Sequence, residues 1–351
     1  MNKDKKTLVI LTPGFAKDET DSTCLPLQQQ LVKALKEINP QLTIIILSFQ
    51  YPYHTKKYRW FNTMVFPFNG RNKGGLPRLS LRRKLNTALK KVHAETPIDG
   101  LLSFWYGECA LVGHRFADKH GLRHFCWILG QDAKKQNSYP RRASLRSGEL
   151  IALSDFLQTE FERNHGIKPG YLIPAGIDAK QFNATSQERN IDILGVGSLI
   201  PLKQYDIFIE TVTAIKKKLP SIKAVLIGNG PEMEKLKYLI KKSELETTIT
   251  VTGELSYTEV LQWMQRAKLL LHPSSYEGFS GVCLEALYAG SHVISFCKAM
   301  NQEIEHWHIV KSKEEMKEKA ISILKHPATS YKRVTFASME DIAKKMMGLF
   351  L

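Results

Sequence analysis

Between His272 and Gly290 the chain reads His-Pro-Ser-Ser-Tyr-Glu-Gly-Phe-Ser-Gly-Val-Cys-Leu-Glu-Ala-Leu-Tyr-Ala-Gly. The apolar run Leu269-Leu270-Leu271 comes before it and Val293-Ile294-Ser295-Phe296 after it, each short enough for a buried strand. The segment therefore reads as a strand, a loop of small residues, a helix and a second strand, which is the repeating unit of an α/β fold.

Gly278, Ser280 and Gly281 fall where that helix begins, so free backbone N–H groups point outward with few side chains in the way. Such a helix start is an anion site. Glu277 precedes it, and Glu285 sits inside the helix at a rise on the order of 6 Å from its start. A carboxylate is a poor neighbour for phosphate and a good acceptor for hydroxyls. Acid, amides and acid in that order suit a diphosphate flanked by sugar hydroxyls, the description of a nucleotide sugar.

The Pro-Ser turn, Glu-Gly-Phe, a small residue, Leu-Glu-Ala and a later glycine together resemble the donor-site signature of retaining glycosyltransferases of family 4. The resemblance implies the GT-B fold, an α/β architecture of two Rossmann-like domains facing a central cleft. It implies that Glu277 contacts the donor sugar and that Glu285 binds the ribose hydroxyls. The phosphates would lie on the main chain of Gly278, Phe279, Ser280, Gly281 and Val282. Relatives read Gly-Arg-Leu, three residues, then Lys, with both cations on the diphosphate. Here Lys203 matches and Ser198 replaces the arginine, which removes one fixed cation and leaves a hydroxyl. The main chain near Leu255 is expected to line the base pocket, and Gly14, after the first strand, to lie under the donor phosphates.

A chain of 351 residues, 43% hydrophobic, has material for two domains of about 150 to 180 residues. The expected division is an acceptor-binding domain over 1–178, a linker over 179–190, a nucleotide-sugar domain over 191–335, and a C-terminal helix over 336–351 that packs back on the first domain. The net charge of +16 calls for an anionic partner or surface. Five cysteines without a Cys-x-x-Cys pair argue against a disulfide framework or a zinc site. Free thiols and the lack of a long apolar span suggest the cytoplasm.

In the first half, Thr7 to Thr12 reads as a strand, Pro13-Gly14-Phe15 as a turn, Leu25 to Ile38 as a helix and Leu42 to Phe49 as a strand. Residues 51–94 hold eleven Lys and Arg and no Asp or Glu, interleaved with aromatics. Cationic and aromatic residues mixed in this way suit docking at an anionic lipid surface, with Arg59, Trp60, Arg71, Arg82 and Arg83 as its contacts, or receipt of a phosphorylated acceptor. They also suit stacking on single-stranded nucleic acid, or a solvated loop over a few core aromatics. Residues 69–75 read as a mobile loop and Arg78 to His93 as a basic helix.

Ile98 to Trp105 and His124 to Leu129 read as strands whose carboxyl ends carry Glu108 and Gly130-Gln131-Asp132. Relatives carry a histidine near Gly130, so Gln131, Asp132 and Glu108 are the polar groups left for the acceptor side. Asp132 reads equally as a helix cap. Glu149 to Leu153 is a further strand, with Ser154 as cap of the helix that follows. In the second half, Ile191 to Val196, Ala224 to Ile227 and Ile249 to Thr252 read as strands, Val260 to Ala267 as a helix, and Lys298 to His308 as irregular. His306 and His308 lack a ligand cluster and read as a surface pair rather than a metal site.

The reading is a retaining, metal-independent glycosyltransferase of cell-surface polysaccharide biosynthesis. It carries no cofactor, uses a nucleoside-diphosphate sugar and takes a glycan or lipid-linked acceptor, on or near the inner face of the cytoplasmic membrane. No nucleic-acid partner is expected. The alternatives are a sugar-nucleotide epimerase and an inactive GT-B scaffold that binds nucleic acid or membrane.

Overall fold

The computed structural model describes residues 6–183, 188–326 and 329–350. The expected linker over 179–190 contains 184–187, and those residues lie outside the described set, as do 1–5, 327–328 and 351 at the margins of the expected domains. The chain forms two compact units, Met1–Ala175 with Met339–Leu351, and Gly176–Ser338.

In the first unit the order is β1 (Thr7–Gly14), α1 (Pro26–Ile38), β2 (Thr43–Tyr51), β3 (Tyr58–Trp60), β4 (Thr63–Pro67), α2 (Gly75–Glu95), β5 (Gly100–Phe104), α3 (Glu108–His120), β6 (Arg123–Ile128), α4 (Pro140–Ala143), β7 (Leu150–Ala152), α5 (Asp155–His165) and β8 (Tyr171–Leu172). The sheet runs β3-β4-β2-β1-β5-β6-β7-β8, parallel except for the β3–β4 hairpin. Leu8 to Leu11 are at most 2% exposed, as expected of a central parallel strand covered on both faces. Pro26 opens α1, where its missing N–H costs nothing. Ser154 Oγ accepts from Leu157 N at the start of α5.

The second unit contains β9 (Ile191–Val196), α6 (Tyr205–Lys216), β10 (Ala224–Ile227), α7 (Met233–Lys242), β11 (Ile249–Gly253), α8 (Tyr257–Arg266), β12 (Ala267–His272), α9 (Gly281–Tyr288), β13 (His292–Ser295), β14 (Trp307–Ile309) and α10 (Lys313–Lys325). Its sheet is all parallel in the order β11-β10-β9-β12-β13-β14, the doubly wound arrangement of a Rossmann-like domain. Leu199, Phe208, Val212, Leu226, Leu269 and Leu271 anchor the core between this sheet and its helices. The chain then enters α11 (Met339–Gly348), which belongs to the first unit and buries Met339, Ile342, Ala343, Met346 and Met347. Beyond it the Phe350 ring covers Gly100 so closely that a Cβ there would lie 2.3 Å from it.

Several elements differ from the sequence reading. β1 continues through Gly14, which pairs with Tyr51 after a register shift, so Pro13-Gly14-Phe15 is not a free turn. The basic stretch contains the β3–β4 hairpin, folded onto the edge of the sheet through β4, and α2 starts at Gly75 rather than at Arg78. α8 begins at Tyr257, set by a reciprocal cap between Ser256 and Glu259, and Ala267 already belongs to β12. The region expected to be irregular before residue 308 contains the start of edge strand β14.

Candidate active site

In the second sheet, β9 is flanked by β10 on one side and β12 on the other. The chain leaves β9 in one direction and β12 in the other, so a crevice opens at their carboxyl ends, where doubly wound sheets place ligands. Lys203 lies in the connection after β9, and Glu277 in the connection after β12. Their side chains meet: Lys203 Nζ donates to Glu277 Oε1. His272, the last residue of β12 and buried, places Nε2 2.9 Å from the same oxygen.

The backbone holds this pair. Ser275 N donates to Leu202 O at 3.0 Å, and the hydroxyls of Ser274 and Ser275 donate to the same carbonyl at 3.2 Å. The Pro-Ser-Ser turn thereby clamps the residue next to Lys203. On the other flank, Gly228 (φ 145°) allows the β10 connection to touch the β9 connection; a Cβ there would stand 1.9 Å from Gly197 O. Burial works against charge on Glu277. The hydrogen bond from His272 and the Lys203 ammonium outweigh it and hold the carboxyl at about 2. Burial lowers His272, so the ring is neutral and serves as an N–H donor.

Four residues beyond Glu277 the helix α9 begins. Ser280 is its cap, with Oγ accepting from Cys283 N at 3.4 Å, which leaves the Gly281 and Val282 amides at the open end. Gly278, Phe279 and Ser280 are buried, and Gly281 and Val282 are partly open. The Phe279 ring packs parallel to Trp307 at 5.8 Å and edge-on to Phe336 at 5.3 Å, so only its main chain can serve an anion. Glu285 leans back toward the helix start: a Cβ on Gly281 would be 3.9 Å from its Oε1. The Tyr257 hydroxyl donates to that oxygen at 2.9 Å. Burial pushes Glu285 up to about 7 against the pull of Tyr257. Leu255, half-buried, lies two residues before Tyr257 and so enters the same corner of the unit. Ser198 is exposed in the β9 connection. The sequence reading did not include His272 and Tyr257, since nothing in the local pattern marks a histidine at a strand end or a tyrosine at a helix start as partners of distant glutamates.

The first unit has a corresponding position at the carboxyl ends of β1 and β5. Gly14 is buried there, with ordinary 3.7 Å contacts from a Cβ to Cys24 Sγ and Tyr51 Cβ, so neither space nor backbone angle demands a glycine. Glu108 opens α3. Arg82 Nε donates to its Oε1, the Tyr139 hydroxyl donates to Oε2 at 2.8 Å, and Arg78 Nε lies 3.6 Å from Oε2. Asp132 is 9% exposed and accepts from the amides of Tyr106, Leu129 and Gly130. Burial raises it to about 6 against those amides. The expectation that Asp132 faces an acceptor is thus corrected, because its carboxylate folds the loop, whereas Gln131 is exposed beside it.

The proposed lipid-facing set divides in the same way. Trp60 is 1% exposed, edge-on to Phe15 at 4.9 Å, and is a core residue. Arg82 is turned to Glu108, with 21% of its side chain exposed. Arg59, Arg71 and Arg83 are exposed. The sequence reading passed over Leu76 and Leu79, 80% and 49% exposed at the start of α2.

Together these features define a doubly wound unit with an open helix start, Lys203 and Glu277 at its switch point. Residues 176–338 match the model of the family described as Glycosyl transferases group 1. Sucrose-phosphate synthase from Thermosynechococcus elongatus superposes with a TM-score of 0.72 at 18% identity over 98% of both chains. HepE of Anabaena in complex with UDP-glucose gives 0.69 at 16% identity over 98% of this chain and 97% of that one. These are GT-B proteins, and the likeness shows that this chain shares the fold of two Rossmann-like units. Among curated proteins, the 2-deoxystreptamine N-acetyl-D-glucosaminyltransferase of Niallia circulans is 29% identical over 103 residues, 29% of this chain and 26% of its own. A glycosyltransferase of Haemophilus influenzae is 29% identical over 242 residues, 65% of this chain and 64% of its own. The chain thus spans from about a quarter to under two thirds of the length of these curated relatives.

Proposed function

We propose that the protein is a retaining glycosyltransferase that moves a sugar from a nucleoside-diphosphate sugar to a glycan or lipid-linked acceptor in cell-surface polysaccharide synthesis. The observation that carries the reading is the Lys203–Glu277–His272 cluster beside the open start of α9, with Glu285 one turn into that helix. The amides of Gly281 and Val282, the helix dipole and Lys203 supply positive charge where the diphosphate departs. The site can therefore stabilise the leaving group without a metal. Glu277, held ionised, is no proton donor; it accepts from donor-sugar hydroxyls. Glu285 accepts from the ribose. The sugar C1–O bond to the diphosphate breaks as a bond from the acceptor oxygen forms on the same face, and a departing phosphate oxygen takes the acceptor proton.

The complex of Anabaena HepE with UDP-glucose supports UDP as the base-bearing half of the donor. Exposed Leu76 and Leu79 among exposed Arg59, Arg71 and Arg83 support peripheral contact with an anionic membrane on its cytoplasmic side, consistent with a lipid-linked acceptor. No helix among the described residues is long and apolar enough to cross a membrane.

The test is UDP release from a panel of UDP-sugars with glycan and lipid-linked acceptors, with and without a chelator, and the anomeric proton of the product read by NMR. The reading predicts chelator-insensitive turnover with the donor's anomeric configuration kept, abolished in Glu277→Gln. An inverted product, chelator-sensitive turnover, or epimerised nucleotide sugar without acceptor would overturn it.

A further inference from the structure

Glu108 stands at the centre of an excess of positive charge. Arg78 and Arg82 reach it from successive turns of α2, each with Nε toward the carboxylate. Arg142, exposed in α4, places its guanidinium 5.8 Å from the centre of the Tyr139 ring, whose hydroxyl is also on Glu108. Two guanidinium groups on one carboxylate leave one positive charge uncompensated, and Arg142 adds a further cation beside Tyr139. Arg82 also bonds to Tyr139, and each guanidinium carries five N–H donors, more than these contacts use, in the planar fork that suits phosphate oxygens. Side-chain exposure falls from 40% at Arg78 to 21% at Arg82 and 11% at Glu108, so the cluster is a recess rather than a solvated charge run.

The loop that carries Tyr139 is built to present it. Asn137 Nδ2 donates to Tyr106 O and Asp132 O, both at 2.7 Å, and Asn137 Oδ1 accepts from Tyr139 N at 3.0 Å. Asp132 ties the other end of the loop through the three amides described above. Asp132 and Asn137 thus hold the loop that sets the half-buried Tyr139 on Glu108. A surface ion pair needs no such frame.

We infer that Arg78, Arg82, Arg142 and Tyr139 form a phosphate-binding site on the first unit, so that the acceptor carries a phosphate or diphosphate group. The inference rests on the reading that this unit takes the acceptor, and it narrows the acceptor to phosphorylated glycans or lipid phosphates. Leu76 and Leu79, exposed on the same end of α2 as Arg78, give a lipid chain a surface beside the phosphate.

The test uses the full chain saturated with UDP, so that the helix start in the second unit is occupied. Binding is measured to glycerol phosphate in solution and to zwitterionic vesicles with and without a long-chain alkyl phosphate. Binding in the first arm assigns the site to soluble phosphorylated acceptors, and binding only to phosphate-bearing vesicles to lipid-borne ones. In either case Arg78→Gln, at a partly buried position, and Arg142→Gln, at an exposed one, are each expected to weaken binding about tenfold, the loss of one charge-assisted hydrogen bond. Neither variant should change the thermal shift produced by UDP. Absence of binding in both arms, equal binding by both variants, or displacement by an RNA homopolymer that the variants also bind would overturn the inference. A wild-type chain that UDP does not stabilise would contradict the donor site instead, and the phosphate result is read independently of it.

Discussion

Replacing Lys203 by methionine removes the ammonium from Glu277 and keeps most of the side chain's volume. Glu277 is then a carboxylate with 16% side-chain exposure, left with one hydrogen bond from a neutral histidine. In the folded protein its carboxyl lies at about 2, below the ordinary 4.5, with the hydrogen bond from His272 lowering it more than the Lys203 ammonium does. A buried pair broken from one side loses about 3–5 kcal/mol, so Lys203→Met should destabilise the second unit by about 3 kcal/mol near neutral pH. The sign with pH follows from the direction of the shift. A lowered carboxyl contributes stability above its unfolded value of 4.5, lost as pH falls through about 2. In the variant Glu277 protonates at higher pH, so the gap between variant and wild type narrows as the solution is acidified. The double variant Lys203→Met, Glu277→Gln should recover much of the loss, because no uncompensated charge remains. Native-state hydrogen exchange on peptides from β9 and β12 reports the second unit alone. A variant as stable as wild type at neutral pH, or a double variant whose loss equals the sum of the singles, would refute the reasoning.

The other expectations concern single positions. Burial raises Glu285 to about 7, so its charge is disfavoured by folding; that stability is present below 4.5 and lost as pH rises through about 7. If the ionised form receives the ribose, calorimetry should show UDP binding about tenfold weaker near pH 6 than near pH 8, relative to a Glu285→Gln variant in which titration of the ligand itself cancels. Trp60→Ala should cost the first unit about 3–5 kcal/mol, read by hydrogen exchange, and should leave partitioning of the folded fraction onto anionic vesicles unchanged. Gly228→Ala forces a Cβ to within 1.9 Å of Gly197 O at a φ of 145°. The expected loss is about 3 kcal/mol or more in the second unit, together with weakened nucleotide binding, because the β9 connection that carries Lys203 must shift.

Much of the architecture is legible because strands of a parallel sheet covered on both faces carry continuous apolar side chains. Leu8 to Leu11 and Leu269 to Leu271 announce themselves in this way. The elements that escape are those without such cover. β14 is a three-residue edge strand whose Ile309 is 40% exposed, and β3 is three residues with Arg59 turned to solvent. The strand, loop and helix from β12 to α9 were legible because their residues are adjacent in the chain. Partners far apart in the chain were not. His272 and Glu277 are only five residues apart, but Lys203 reaches Glu277 across 74 residues and Tyr257 reaches Glu285 across 28, and these contacts depend on which strands are neighbours. The same limit applied to Arg82. Composition counts it among surface cations, and only the packing of α2 against α3 shows that it is half of an ion pair.

The central claim is that the start of α9, with Glu285 beside it, holds a nucleoside diphosphate. The most direct measurement is the thermal shift of wild type and Glu285→Ala with UDP, GDP and ADP in turn. The account predicts that UDP raises the unfolding temperature of the wild type and leaves that of the variant where it was. An equal shift in both proteins would place the nucleotide elsewhere.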